Sequence, residues 1–373
     1  MVVTTQYKLT DFLVTINSTR LEVNTLQMTH SFNESRVLNI TTNDPSASTL
    51  CSLGSEITVV FGHQQIRPMV GRAPHNDILT FRGIIKAVYP KEGEYTITAF
   101  DFLTHLATSE QVDFTDTQYY KGWDGLAAIR DVVDNADVGI DTSAMITTSA
   151  TGNPKLRGGV VSDDWNIYGW KTRKEFIDGI IANMKHTAES DSYRNAFDPI
   201  TFNYAIMDGV QLRAISTDIL GSMKRPVLRL TDNENVGIVA STNLSKMVNS
   251  CTVRSTLDSS ILDTYENQHS IKTYGIQSAQ FNLPLSRKVD CTDFARSYVE
   301  ANKEPTITYT IELQNFLWFD LGNYIELEVP SLKKGAILPI AGYSIRFGDT
   351  ITTTITMGEN SLTPAQILKQ IIT

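Results

Sequence analysis

Cysteine is scarce: Cys51, Cys251 and Cys291 are the only three in 373 residues, and they lie far apart. An odd number at such spacing makes neither a disulfide framework nor a metal pattern, so the three read as buried reduced thiols. Long apolar runs are missing too. No stretch approaches the roughly 20 apolar residues of a bilayer-crossing helix, and no membrane span is expected. The opening Met1-Val2-Val3-Thr4-Thr5-Gln6 lacks a basic segment leading into an apolar one, which argues against a signal peptide. Without a secretory route, the Asn-x-Ser/Thr triplets at Asn17, Asn33, Asn39 and Asn243 are coincidence.

Positive charge is also in deficit, 32 Lys and Arg against 41 Asp and Glu, for a net charge of −9. Broad gripping of nucleic acid needs clustered cations, and the deficit argues against it. A conduit that nucleic acid slides past is not excluded, because an acidic wall repels phosphate. The usual catalytic signatures are absent. His30, His63, His75, His105, His186 and His269 are scattered, with no zinc-binding spacing among them. There is no phosphate-binding loop, dinucleotide fingerprint, EF-hand or nucleophile elbow. Ser344, in Ala341-Gly342-Tyr343-Ser344-Ile345, lacks the second glycine of an elbow and falls in an expected strand. No catalytic, cofactor-binding or metal-ligating residue is assigned, and no cofactor is expected.

What the chain does contain is a repeated stretch. Leu53-Gly54 leads into Ile57, Val59 and Phe61, and Leu321-Gly322 leads into Ile325, Leu327 and Val329. Each is a turn glycine followed by alternating apolar residues. Each has a later glycine, Gly83 or Gly342, and a return strand carrying Thr-Ile-Thr, at Thr96-Ile97-Thr98 and Thr354-Ile355-Thr356. Two copies of one β module separated by an insertion would produce this pattern.

The fold class is therefore mainly β with an α+β insertion. Residues 1–107 form the first β domain, with strands around Val14, Val37, Ile57, Phe81 and Ile97. A loop is expected over 62–79, and Asp101 caps a short helix. Residues 108–235 form the α+β insertion. In it Thr172-Arg173-Lys174-Glu175 fits a capping box, Phe176, Ile177 and Ile180 form a helical stripe, and Met207-Asp208-Gly209 turns a hairpin. Residues 236–360 form the second β domain, with a helical insertion at about 290–303 capped by Asp290 or Thr292. Its strands alternate through Ile307, Tyr309, Ile311 and Leu313, then Tyr343, Ile345 and Phe347, then Ile351, Thr353, Ile355 and Met357. Residues 361–373 form a terminal helix that begins at Thr363-Pro364.

Three local features invite chemistry. The acid pairs Asp113 with Asp116, Asp131 with Asp134, and Asp163 with Asp164 meet the minimum for a cell-wall hydrolase, which needs two carboxylates across a cleft. Solvated surface carboxylates explain them more simply. The run Trp165, Tyr168 and Trp170, followed by Lys171, Arg173 and Lys174, has the composition to stack on sugars or bases. A hydrophobic staple and lid over the following helix, with Trp170 near Phe176, explains it more simply. Glu326 and Glu328, opposite Ile325 and Leu327, face either a channel or a neighbouring subunit.

The order of these pieces resembles the tail hub proteins of contractile-tailed bacteriophages. The resemblance runs through Leu53-Gly54, Phe81-Arg82-Gly83-Ile84, Ile97 to Asp101 and the short helix at Leu103 to Leu106. It continues through Asn249 to Val253, Ser270 to Gly275, Thr292 to Ala301, Leu321-Gly322 and Met357-Gly358. It implies a homotrimer in which each chain supplies two tube-type β domains. The resulting pseudo-sixfold ring would join a hexameric tail tube to a trimeric central spike and leave an axial channel. Implied partners are the tail tube protein, the spike, surrounding baseplate wedge proteins and the tape measure protein. DNA would pass through without specific binding. The implied location is the virion tail, assembled in the host cytoplasm, and the implied role is structural, with the chain's length taken up by the hub pattern. The hub of a contractile injection system fits the same pattern. So do, in a different class, a cell-wall hydrolase and a carbohydrate-binding tail module.

Overall fold

The computed structural model describes residues 6–67, 80–108, 112–113, 123, 125–146, 160–161, 170–185, 202–207, 209–216, 228–231, 236–243, 247–283, 285–303, 306–314, 321–328 and 336–358. Apolar residues at every second position drive the first part into strands, one face buried and one wet. These are β1 (Gln6–Ile16), β2 (Thr19–Leu21), β3 (Thr25–Ser31) and β4 (Val37–Thr42), then helix α1 (Ala47–Leu50), β5 (Glu56–Arg67), β6 (Thr80–Lys91), β7 (Glu94–Asp101) and helix α2 (Leu103–Thr108). They pair antiparallel in the order β3-β4-β7-β6-β5-β1-β2. The β6–β7 hairpin turns on Glu92 and Gly93, at φ 50° and 87°. Two left-handed residues match the right-handed twist of the strands they join. The loop expected from residue 62 begins later, because β5 continues to Arg67 opposite Gln6. Residues 68–79 lie outside the described residues.

The insertion holds β8 (Val112–Asp113), α3 (Gly125–Asp134), a 3-10 turn (Ser143–Ile146), β9 (Val160–Val161), β10 (Trp170–Lys171), α4 (Arg173–Asn183), β11 (Met184–Lys185), β12 (Phe202–Met207) and β13 (Gln211–Ser216). Leu103 and Leu106 of α2 join Ile129, Val133, Phe176, Ile177, Ile180 and Leu212 in its core. The capping box forms as expected: the Thr172 N–H donates to Glu175 Oε2 (2.8 Å) and the Glu175 N–H donates to Thr172 Oγ1 (3.2 Å). The β12–β13 hairpin also forms, with Gly209 at φ 75°.

The strand expected to end the insertion belongs elsewhere. β14 (Leu228–Thr231) pairs parallel with β20 (Tyr324–Glu328), so it is part of the second β region. That region also contains β15 (Val236–Asn243), β19 (Thr306–Gln314), β21 (Ala336–Phe347) and β22 (Ile351–Gly358). Between β15 and β19 sits a larger unit than the helical insertion expected at 290–303. It comprises β16 (Ser250–Ser255), β17 (Leu262–Glu266), α5 (Gln268–Tyr274), β18 (Ser278–Leu283) and α6 (Lys288–Asn302), with its own three-stranded sheet. Its core contains Val253, Cys251, Phe294, Ala295 and Val299. Helix α6 begins at Lys288, ahead of both expected caps. Asp290 is bound to Arg287, and the Thr292 hydroxyl donates back to the Lys288 carbonyl, so both lie inside the helix. The terminal helix expected at 361–373 lies outside the described residues.

Among the described residues the two β regions share one 13-stranded sheet and one core. Phe347 of β21 packs against Phe12 (4.9 Å between rings) and Phe61 (5.5 Å), both from the first region.

Candidate functional site

The repeated stretch is a repeat in three dimensions. Gly54 and Gly322 both adopt left-handed backbone, φ 85° and 79°. The Gly54 N–H donates to the Ile85 carbonyl and the Ile85 N–H to the Ser55 carbonyl. In the second copy the Gly322 N–H donates to the Ile340 carbonyl and the Ile340 N–H to the Asn323 carbonyl. Immediately afterwards each receiving strand bulges, at Lys86 in β6 and at Ala341 in β21. The bulges bring Thr96-Ile97-Thr98 and Thr354-Ile355-Thr356 into the same place on β7 and β22. Ile97 lies opposite Val88, and Ile355 opposite Tyr343. One frame therefore equates β3, β4, β7, β6 and β5 with β15, β19, β22, β21 and β20.

The frame corrects one pairing read from sequence. Gly83 and Gly342 are not equivalents: Gly83 lies opposite Ile57 before the first bulge, and Gly342 lies after the second. They meet different needs. A Cβ on Gly83 would stand 2.2 Å from the Phe100 carbonyl oxygen, whereas one on Gly342 would stand 2.8 Å from the Ser31 hydroxyl. The copies also diverge at their outer strands, since β1 joins β5 antiparallel while β14 joins β20 parallel.

The copies meet edge to edge. Residues Gly342–Phe347 of β21 pair with Ser31–Leu26 of β3, so Tyr343 faces His30 and Arg346 faces Gln27. On the buried side the Tyr343 hydroxyl lies 3.1 Å from His30 Nδ1. Burial, aided by the positive charge of Arg36, holds the His30 imidazole well below its usual pKa. The exposed side is lined by short uncharged polar groups. Thr25 bonds Thr41 (2.8 Å), Thr98 donates to Asn39 (2.8 Å) and Gln27 donates to Ser344 (3.1 Å). Thr96, Thr354, Thr356 and Thr310 continue this face, on which Arg346 and Glu312, and Lys91 opposite Glu94, are among the charged exceptions.

Two edges remain. Among the described residues β15 pairs only with β19, and Ala87–Lys91 of β6 pairs only with β7. The corresponding stretch of β21 is the one that receives β3.

A second anchor holds the insertion on the first β region. Arg36 and Asp101 form a fully buried ion pair at 3.2 Å. Arg36 also donates to the Thr80 carbonyl (3.0 Å) and the Gly209 carbonyl (2.7 Å), and its guanidinium lies over Phe81. Asp101 is the expected helix cap through Oδ1, which accepts from the Leu103 N–H (3.1 Å). Its Oδ2 bond to Arg36 was not legible, because a lone arginine in a polar turn has no sequence signature.

The chemical candidates disperse. Asp134 accepts from Arg130 (3.2 Å) and from the Thr142 hydroxyl (2.6 Å), a structural use of that acid. Asp116, Asp163, Asp164, Trp165 and Tyr168 lie outside the described residues. Trp170 is placed only as a strand residue opposite Asp113. Two of its basic neighbours are committed: Arg173 donates to the Val132 and Asn135 carbonyls at the end of α3, and Lys174 donates to Asp178. Glu326 stands in an interior strand between Arg229 of β14 and Ile337 of β21. Glu328 lies opposite Thr231. Among the described residues no group of His, Cys, Asp or Glu is clustered to hold a metal, and no helix is long and apolar enough to cross a membrane. The three cysteines are free and buried, and burial pushes the Cys51 and Cys251 thiols up to about 11 and about 12.

No family model matches the chain, and no curated protein matches it in sequence. Solved structures do match along nearly its whole length. The tail protein from Neisseria meningitidis MC58 superposes with a TM-score of 0.63 at 12% identity, covering 97% of this chain and 99% of that one. The fold is that of a phage tail protein. The 43 kDa tail protein of prophage MuSo2 from Shewanella oneidensis has it too, at TM-score 0.60 and 11% identity over 96% and 98% of the two chains. A chain of the Francisella PdpA-VgrG complex gives 0.51 at 11% identity, covering 98% of this chain and 59% of its own length. The tail-protein fold agrees with the family resemblance read from the order of the motifs. It also gives those motifs a physical role. Asn249 Nδ2 donates to the Gly275 carbonyl (2.7 Å) and the Ser270 hydroxyl (3.3 Å), while its Oδ1 accepts from the Gln277 N–H (2.8 Å). The Asn249 and Ser270-to-Gly275 motifs are thus one buried cluster that secures α5 in the tail-protein fold.

Proposed function

We propose that the chain is the structural hub of a phage tail baseplate or tail tip. Three copies form a pseudo-sixfold ring that joins the hexameric tail tube to the trimeric central spike around an axial channel. The carrying observation is that one chain holds two β modules with the same hydrogen-bond frame, joined side by side through β3 and β21. Two similar but non-identical modules keep a sixfold contact on one side and leave threefold features free on the other. We take residues 1–107 as one tube-type domain, 236–360 together with β14 as the other, the rest of 108–235 as the inserted domain and 361–373 as a terminal helix.

The exposed threonine-rich face is the proposed channel wall. Between Arg346 and Lys91, which occupy equivalent places, this face carries neutral side chains, several of them bonded to one another, and offers phosphate few fixed cations, which suits DNA passing without being held. The acidic balance of the chain is not concentrated on this face. The role is structural, within the virion tail, next to the tube, spike, wedge and tape measure proteins, with assembly in the host cytoplasm. The likeness to a chain of the PdpA-VgrG complex favours a second reading, the same ring in a contractile injection system.

Imaging of assembled particles together with native mass of the purified chain tests both readings. Threefold particles with pseudo-sixfold density are the expected result. A stable monomer absent from every tail assembly would end the proposal.

A further inference from the structure

We propose that neighbouring chains join by strand addition, the free edge of β15 in one chain pairing with the free half-edge of β6 in a second copy of this chain. The proposal rests on the hub reading and supplies its subunit contact. It follows from the repeated frame. In β21 one edge is shared by two strands, β20 along Ala336–Leu338 and Pro339 and then β3 along Gly342–Phe347. In β6 the corresponding edge carries β5 along Thr80–Ile84, and no described strand follows it along Ala87–Lys91. The strand equivalent to β3 is β15, and its outer edge has no partner among the described residues. The chain thus contains one complete joint and the two unmatched halves of a second. A head-to-tail joint of this kind makes rings when its rotation closes.

The internal joint sets the register. Because β3 lies opposite β21 with Tyr343 facing His30, the copied joint places Val88 opposite Thr242, Tyr89 opposite Ser241 and Lys91 opposite Val239. Tyr89 and Val239 are each 64% exposed in the single chain, unusual for large apolar side chains on strand edges. An uncovered edge of this kind invites uncontrolled pairing, and a dedicated partner removes that hazard. Val88 and Ile238 are half-buried against the common core, so pairing also extends apolar packing across the joint. Pro90 stands where Ile345 stands in the internal joint and offers a carbonyl without an N–H. Proline is tolerated on an edge that its own chain leaves unpaired, and here it withdraws one ladder bond from the added strand.

The test is a pair of cysteines, Lys91→Cys with Val239→Cys, in the 373-residue chain under mild oxidation. Both positions are exposed, and residues directly opposite on adjacent antiparallel strands lie within disulfide reach. The native cysteines are buried and serve as a silent background. The control pair, Lys91→Cys with Ala240→Cys, shifts the register by one residue and turns the second thiol to the opposite face. The expected result is covalent multimers from the first pair, ending at the trimer, and none from either single variant or the control. If native mass or imaging is threefold and the first pair never links, strand addition is wrong and the hub reading stands. Equal linking of the control overturns the register. A chain that is monomeric, unlinked and absent from tail particles overturns both proposals.

Discussion

Gly83 shows how one missing side chain sets a strand's position. Its ideal Cβ would fall 2.2 Å from the Phe100 oxygen and 2.8 Å from the Phe100 carbonyl carbon, both backbone atoms that cannot move aside. Gly83→Ala should destabilise by about 1–3 kcal/mol, in the range of overpacked cores. Gly342→Ala should cost less, because its nearest neighbour is the Ser31 hydroxyl, which can rotate. Thermal melts of the two variants check the order. The buried Arg36–Asp101 pair is the other point of high stakes. Asp101→Ala leaves a buried guanidinium without its carboxylate and removes the cap of α2, and should cost about 3–5 kcal/mol. His30 makes stability depend on pH. Its folded pKa is depressed, so the folded chain refuses a proton that the unfolded imidazole accepts near pH ~6.5. Its contribution is complete above that value and is lost as the pH falls below it toward the folded pKa. Denaturant melts from about pH 7.5 to about pH 5.5 should show a larger loss in the parent than in His30→Gln.

At the scale of elements, legibility followed how local the cause was. The Thr172–Glu175 box, the Asp101 cap and the Met207-to-Gly209 turn are decided by backbone groups a few residues apart, and all three form. Helix α6 was legible as a helix but not in its start. Its first turn is held by Arg287 bound to Asp290 and by Thr292 reaching Asp263 on β17, and the second contact is not local. Strand β14 was legible as a strand yet assigned to the wrong unit, because its parallel partner β20 lies almost 100 residues away (Leu228 opposite Ile325). Loss of the Thr172 hydroxyl offers a clean element-scale test. Thr172→Ala should weaken the start of α4 by about 1 kcal/mol. Hydrogen exchange should accelerate in the first turn of α4 and stay unchanged in α6.

For the whole molecule, the threonine-rich face carries the functional prediction. Thr98→Lys with Thr356→Lys places cations at equivalent points of the proposed channel without touching the buried face. Particles should assemble normally and eject DNA more slowly, with the delay relieved by salt as counterions compete for the added charges. Delayed or failed assembly with normal ejection from the particles that form would place this face at a protein contact instead.

The sequence by itself determined the β class, the duplicated strand and its Thr-Ile-Thr return, and the capped starts of α2 and α4. Each of these depends on residue type at short spacing, through alternation, turn chemistry and capping. Only the tertiary structure decided that the copies share one hydrogen-bond frame, that Gly83 and Gly342 are not equivalents, and that Arg36 reaches Gly209. It also decided which edges are paired and which are open. Pairing between β3 and β21 joins residues about 300 positions apart, and backbone hydrogen bonds leave no mark on the side-chain pattern that a sequence displays.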